Sequence, residues 1–214
     1  MRHKYFEQIY YINLDRRVDR NEQIIAELSK HGITKHIQRI SAVDKNDLPN
    51  LDYPCDKGNI ACAMSHLKVV KDAKAKGYNN YLVLEDDAEF DPNFTALFQE
   101  RIKELPSDWD LFYLGANHNA GVEYKTQHIC KCIASYTTHA FAANHTIYDA
   151  MIAQWENQTA EIDVCLARLH KFYNCYSFIP NLVTQRAGFS DILNKDCDYD
   201  FLKNNRQTVN YGVN

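Results

Sequence analysis

Short apolar runs alternate along this chain with segments whose apolar residues recur at helical spacing. Ile9-Tyr10-Tyr11-Ile12-Asn13-Leu14 is rich in β-formers and predicts a first strand. The run breaks at Asp15-Arg16-Arg17, and a helix is expected to about Ser29. Asp19 and Glu22 stand at capping-box spacing, Ile24, Ile25 and Leu28 mark its buried face, and Gly32 supplies the stop. His36 to Val43 reads as a second strand, and Asp44 to Lys57, with Pro49 and Pro54, as a loop. A helix is expected from about Asn59 to Lys76, with Ile60, Met64, Leu67 and Val70 on one face and Lys68, Lys71, Lys74 and Lys76 mostly on the other. Tyr81-Leu82-Val83-Leu84 is apolar without interruption, as a strand buried on both faces of a helix-covered sheet requires.

The same alternation continues. Phe94 to Glu104 predicts a helix ended by Pro106, and Leu111 to Gly115 a buried strand. Gly115 to Tyr124 reads as a polar loop whose Asn117, His118 and Asn119 are free to contact a ligand. Gln127 to Ser135 predicts another strand, and Tyr136 to Phe141 a connection into a helix near Thr146 to Gln154. Glu161-Ile162-Asp163-Val164 opens a short helix, and Phe172 to Ile179 is a late strand stopped by Pro180. With no internal repeat and no low-complexity linker, the pattern predicts one α/β domain over residues 1–195 and a polar tail over 196–214.

Composition narrows the function classes. A length of 214 residues suits one large domain, and a net charge of -4 excludes a general nucleic-acid binder, which would be basic. No apolar stretch reaches membrane-spanning length, and Met1 to Gln8 carries no apolar leader-like core. Seven cysteines without a CxxC pair fit reduced thiols. The expectation is a cytoplasmic protein, with contact to a membrane only at its periphery.

The chemistry concentrates at Glu85-Asp86-Asp87, at the carboxyl end of the predicted buried strand, where open α/β sheets place their ligand crevice. Adjacent carboxylates repel one another unless a cation or hydrogen-bond donors compensate. A hard divalent metal holding a phosphorylated substrate meets that need; a solvated acidic turn is the plainer alternative. The first strand-turn-helix lacks both GxGxxG and GxxxxGK[ST], so phosphate recognition falls to side chains, with Arg16, Arg17 and Arg20 the candidates. A phosphohydrolase would need further ligands at helical spacing, which His118, His128 and His139 do not provide.

Several stretches together carry a resemblance. Tyr11 to Arg20 reads YINLDRRVDR, Gly58 to His66 reads GNIACAMSH, and Leu84 to Asp87 reads LEDD. Leu111 to Gly115, Thr138 to Phe141, Ile162-Asp163 and Phe189-Ser190-Asp191-Ile192 follow in order. In this order they resemble the motifs of the family 25 glycosyltransferases, which include lipopolysaccharide-biosynthesis enzymes and collagen hydroxylysine galactosyltransferases. Asn59 and Ala61 depart from the Glu and Gly usual in the second motif.

The resemblance implies a GT-A fold, a Rossmann-like mixed, mostly parallel sheet flanked by helices. It also implies a nucleotide-sugar donor such as a UDP-sugar, Mn²⁺ as cofactor and inversion at the anomeric carbon. The transferred sugar would be a hexose, galactose or glucose, and the acceptor a hydroxyl on a glycan, a lipid-linked sugar such as lipooligosaccharide, or hydroxylysine. Residue by residue, it assigns donor binding to Ile12, Asn13, Arg16, Arg20, Ser65, His66, Glu85 and Asp86, and metal binding to Asp86, Asp87 and Asp191. Asp163 is the first choice for catalytic base and Asp191 the alternative. The rival from another class is a non-catalytic nucleotide- or sugar-binding module of the same fold.

Overall fold

A computed structural model describes residues 5–50, 52–157 and 160–203. The chain opens with β1 (Gln8–Asn13), α1 (Val18–Lys30), β2 (Ile37–Ser41), α2 (Lys57–Ala75), β3 (Asn80–Glu85), β4 (Ala88–Phe90) and α3 (Phe94–Arg101). It continues through β5 (Leu111–Tyr113), β6 (Asn117–His118), β7 (Val122–Tyr124), β8 (Ile129–Cys132), β9 (Ser135–Tyr136) and β10 (Ala140–Asn144). The described part closes with α4 (Tyr148–Glu156), α5 (Ile162–Ala167), β11 (Cys175–Phe178), β12 (Val183–Gln185), β13 (Gly188–Ser190), β14 (Lys195–Cys197) and α6 (Asp200–Lys203).

Eight strands form one sheet in the order β2-β1-β3-β10-β5-β11-β8-β7. β1 lies parallel to both β2 and β3, and β5 parallel to β11. β10 runs antiparallel between β3 and β5, and β8 antiparallel between β11 and β7. Apart from β10 and β8, all strands of this sheet therefore point one way, which is the mixed, mostly parallel arrangement expected. Successive strand residues enter opposite cores. Tyr10, Val83, Tyr113 and Phe141 pack with Val70, Met151 and Trp155 on one face. Ile9, Tyr11, Leu82, Leu84 and Phe112 pack with Ile24, Leu28 and Phe98 on the other. This two-sided burial is why β3 is apolar without alternation.

Several local expectations change. α1 begins after Arg17, whose side chain makes no cap bond, and Asp19 pairs with Arg17 instead of forming a capping box. Ile25 is exposed. α2 buries Ile60, Ala63, Val70 and Ala73 while Met64 faces outward, because small alanines let the helix sit close to the sheet. The supposed loop over 115–124 carries β6 and β7. Most consequential, the stretch read as a connection ends in β10, a strand between β3 and β5 that is buried up to Asn144. Its Ala-Phe-Ala-Ala-Asn run has few residues of high β-propensity; neighbours on both sides determine its state.

The chain stays ordered past residue 195. β14 pairs with β13, and Leu202 of α6 is buried, its carbonyl accepting from Asn181 Nδ2 at 3.1 Å. The remainder of the expected tail, 204–214, lies outside the described residues. Among the described residues no helix is long and apolar enough to cross a membrane.

Candidate active site

Because β2, β1 and β3 are parallel neighbours, their carboxyl ends open side by side. A cavity of about 120 Å³ lies there. β1 contributes Ile12 and Asn13, the following turn and α1 contribute Arg16 and Arg20, and α2 contributes Cys62, Ser65 and His66. Glu85, Asp86 and Asp87 come from the end of β3, and Ser190, Asp191 and Ile192 from the β13–β14 hairpin. Every expected donor-binding and metal position thus lines one cavity. At Gly58, at the start of α2, an added Cβ would stand 3.0 Å from Ile192 Cα, so glycine permits the hairpin's close approach.

The carboxylates differ in their partners. Glu85 Oε1 lies 3.1 Å from His66 Nε2 and accepts from Thr138 Oγ1 at 2.7 Å. Burial pushes Glu85 up, but His66 and the Thr138 hydroxyl bring it net below its ordinary value. Asp86 accepts from Asn13 Nδ2 at 2.8 Å and from Arg20 Nη1 at 2.7 Å. Burial still leaves its carboxyl raised. Asp87 meets Arg20 Nη2 at 3.2 Å, and burial and then the Glu85 charge push it up to about 7. Asp191 is held between Arg16 Nη1 at 2.8 Å and Arg17 Nη1 at 2.5 Å, while Arg16 Nε also reaches Asp44.

Among the described residues Asp87 Oδ1 is buried without a well-formed hydrogen bond, although the Gln185 amide is near enough to favour the charged carboxylate. An unsatisfied carboxylate oxygen beside two further acids is a costly arrangement that a hard cation would relieve. Asp86, Asp87 and Asp191 all line the cavity, but their oxygens are engaged by Arg20, Asn13, Arg16 and Arg17, and among the described residues the three do not gather as one group of ligand atoms within 4.8 Å. Cys62, His66 and Glu85 do place one potential ligand atom each within 4.8 Å. Burial raises the Cys62 thiol well above its usual range.

Residues 6–162 match the profile of glycosyltransferase family 25, described as an LPS biosynthesis protein. The chain belongs to glycosyltransferase family 25. It is similar to procollagen galactosyltransferase 1 of Danio rerio, 31% identical over 131 residues, covering 51% of this chain and 21% of that protein. It is also similar to inactive glycosyltransferase 25 family member 3 of Homo sapiens, at 29% over 131 residues, covering 51% and 22%. Procollagen lysyl hydroxylase and glycosyltransferase of Acanthamoeba polyphaga mimivirus is 31% identical over 163 residues, covering 64% of this chain and 18% of that protein. The chain spans about a fifth of the length of these curated relatives.

Within this family 25 domain, two expected site residues have other work. Asp163 does not line the cavity. Its Oδ2 accepts from Thr137 N at 3.2 Å and its Oδ1 from Val164 N at 2.8 Å, so both oxygens serve backbone amides. Thr137 has φ +75°, a strained left-handed conformation that this contact helps to hold. Ser65 lines the cavity, yet its hydroxyl donates to Ala61 O at 2.7 Å and accepts from Val43 N at 2.8 Å, tying the segment after β2 to α2.

The cavity also includes Asp44, Lys45, Gln185 and Tyr199, which sequence reasoning passed over. Asp44 and Lys45 had a readable signal, since they follow a strand predicted to lie in the same parallel sheet. Gln185 and Tyr199 had none.

Proposed function

We propose that this chain is a metal-dependent inverting glycosyltransferase domain that moves a hexose from a UDP-sugar to an acceptor hydroxyl. The observation that carries the reading is the convergence of Asp86, Asp87 and Asp191 with Arg16 and Arg20 on one cavity at the carboxyl ends of parallel strands, with Arg17 reaching Asp191 from beside it. Asp86 and Asp87 would hold Mn²⁺, which when bound neutralises charge on the departing diphosphate. Arg16, Arg17 and Arg20 exchange their carboxylate partners for phosphate oxygens, because guanidinium groups pair with either in the same forked geometry.

That exchange frees Asp191 from its two arginines. In this proposal Asp191, rather than Asp163, takes the acceptor's proton as the acceptor oxygen bonds to the anomeric carbon and UDP leaves. This assignment leaves Asp86 and Asp87 as the metal pair. Ile12 and Asn13 wall the nucleotide side, and Glu85, held by His66 and Thr138, is placed to accept from a sugar hydroxyl.

Galactose or glucose as donor sugar, and a glycan, lipooligosaccharide or hydroxylysine as acceptor, belong to this reading through the family description and the relatives' names. A cytoplasmic setting fits as well, since none of the seven cysteines forms a disulfide. The test is UDP, GDP or CMP release across a panel of nucleotide sugars with Mn²⁺. Release from none of them would sink the enzyme reading.

A second reading is a non-catalytic module, favoured by relatives named inactive at similar identity. Calorimetry separates the two: the module binds UDP without Mn²⁺ dependence and without donor turnover.

A further inference from the structure

We infer that Arg39, on β2 and outside the cavity, is a positioning residue that fixes the Asn13 amide and, through it, the Asp86 carboxylate. The inference rests on the proposed donor and metal site. Asn13 is the last residue of β1, is 1% exposed and uses every hydrogen-bonding site on its side chain. Its Nδ2 donates to Arg17 O at 3.0 Å and to Asp86 Oδ2 at 2.8 Å. Its Oδ1 accepts from Arg39 Nε at 3.1 Å and Arg39 Nη2 at 2.9 Å.

The guanidinium holds the amide from its oxygen end, while Arg17 O and the Asp86 carboxylate hold it from the NH₂ end. Arginine can only donate, so a flipped Asn13 would set its NH₂ against two N–H groups and its oxygen against the Asp86 carboxylate. Both contacts would be repulsive. With its oxygen held by Arg39, the amide cannot withdraw, so Asp86 Oδ2 is pinned by Asn13 while Oδ1 rests on Arg20. Arg39 is itself braced from outside: Nη2 donates to Asp15 Oδ1 at 2.6 Å, and Ser41 Oγ donates to Asp15 Oδ2 at 2.8 Å. The chain of contacts thus runs from the sheet edge across β2 and β1 to the end of β3.

A merely structural role predicts something different. In the Arg39–Asp15 pair the Asp15 side chain is 71% exposed and that of Arg39 33%, and pairs open to solvent on one side contribute little to stability. Removing Arg39 should therefore disturb the site far more than the fold.

The test uses the full chain with Arg39→Ala, Arg39→Lys, Asn13→Ala and the Arg39→Ala/Asn13→Ala double variant. Mn²⁺ affinity is read from the free-ion paramagnetic resonance signal, the donor KM from UDP release, and Tm alongside. Arg39→Ala is expected to weaken Mn²⁺ binding about tenfold, the scale of one hydrogen bond to a charged group. Arg39→Lys should recover part of that loss, and Tm should move by no more than ~3 °C. The double variant should be little worse than Asn13→Ala, because all that Arg39 then keeps at that residue is one long bond from Nη2 to the backbone carbonyl at 3.3 Å. Unchanged Mn²⁺ affinity in Arg39→Ala, or additive losses in the double variant, would overturn the role of Arg39 alone. A wild-type chain that binds no Mn²⁺ would overturn the functional reading, and this role with it.

Discussion

Arg20 bridges two consecutive carboxylates: Nη1 lies 2.7 Å from Asp86 Oδ1 and Nη2 3.2 Å from Asp87 Oδ2. All three side chains are largely buried, so the arginine compensates charges that water cannot reach. Arg20→Ala would leave two buried carboxylates facing each other, at a cost of about 3 kcal/mol. Thermal unfolding of this variant should show a lowered Tm that Mn²⁺ restores more than it raises the wild type. Equal Mn²⁺ effects on both proteins would mean that the cation does not take over the arginine's role.

Asp87 makes stability pH-dependent in a definite direction. Its carboxyl is pushed from 3.8 up to about 7 in the folded chain, chiefly by burial. Below pH 3.8 both states hold the proton; between there and about 7 only the folded state does. The folded state binds more protons in that window, so this residue's contribution to stability falls as pH rises and the loss is complete above it. Asp87→Asn should raise Tm at pH 8 by ~3 °C or more relative to its effect at pH 4. A pH-independent difference between variant and wild type would contradict this origin.

Gly58 sets how closely the β13–β14 hairpin approaches α2. A Cβ there would lie 3.0 Å from both Ile192 Cα and Ile192 O, which are backbone atoms that must shift. Gly58→Ala is expected to displace the neighbouring Asp191 and lower kcat/KM for UDP release about tenfold or more. The helix gains from alanine, so Tm should change little. Wild-type kcat/KM would show that the hairpin yields without moving Asp191.

Asp163→Asn separates a backbone brace from a catalytic base. With both carboxylate oxygens committed to the Thr137 and Val164 amides, the substitution should leave UDP release within about tenfold of wild type. Loss of a general base would lower it roughly 10²–10⁴-fold. A fall of that size, with Tm preserved, would return Asp163 to the mechanism.

Much of the cavity wall was legible because its residues sit in short local contexts. Ile12 and Asn13 end a strand, Arg16 and Arg20 flank a helix start, and Glu85 to Asp87 end the next parallel strand. Once strands are read and ordered in parallel, their carboxyl ends must lie together. The contact of Asp163 with Thr137 was not legible, because a position in the chain says nothing of a partner 26 residues away whose left-handed backbone amide it accepts from. β10 was misread because an alanine-rich run becomes a central strand only when β3 and β5 flank it.

The sequence by itself determined the apolar strands, their two-sided burial and the placement of consecutive acids at a strand end. Periodicity and local charge are properties of neighbouring residues, and neighbours are what a sequence records. The tertiary structure alone decided which charges meet. Arg17 reaches Asp191 across 174 positions, and Arg39 reaches Asp86 only through Asn13. Such pairings follow from strand order and helix packing, which bring distant side chains within hydrogen-bond range and withdraw them from water.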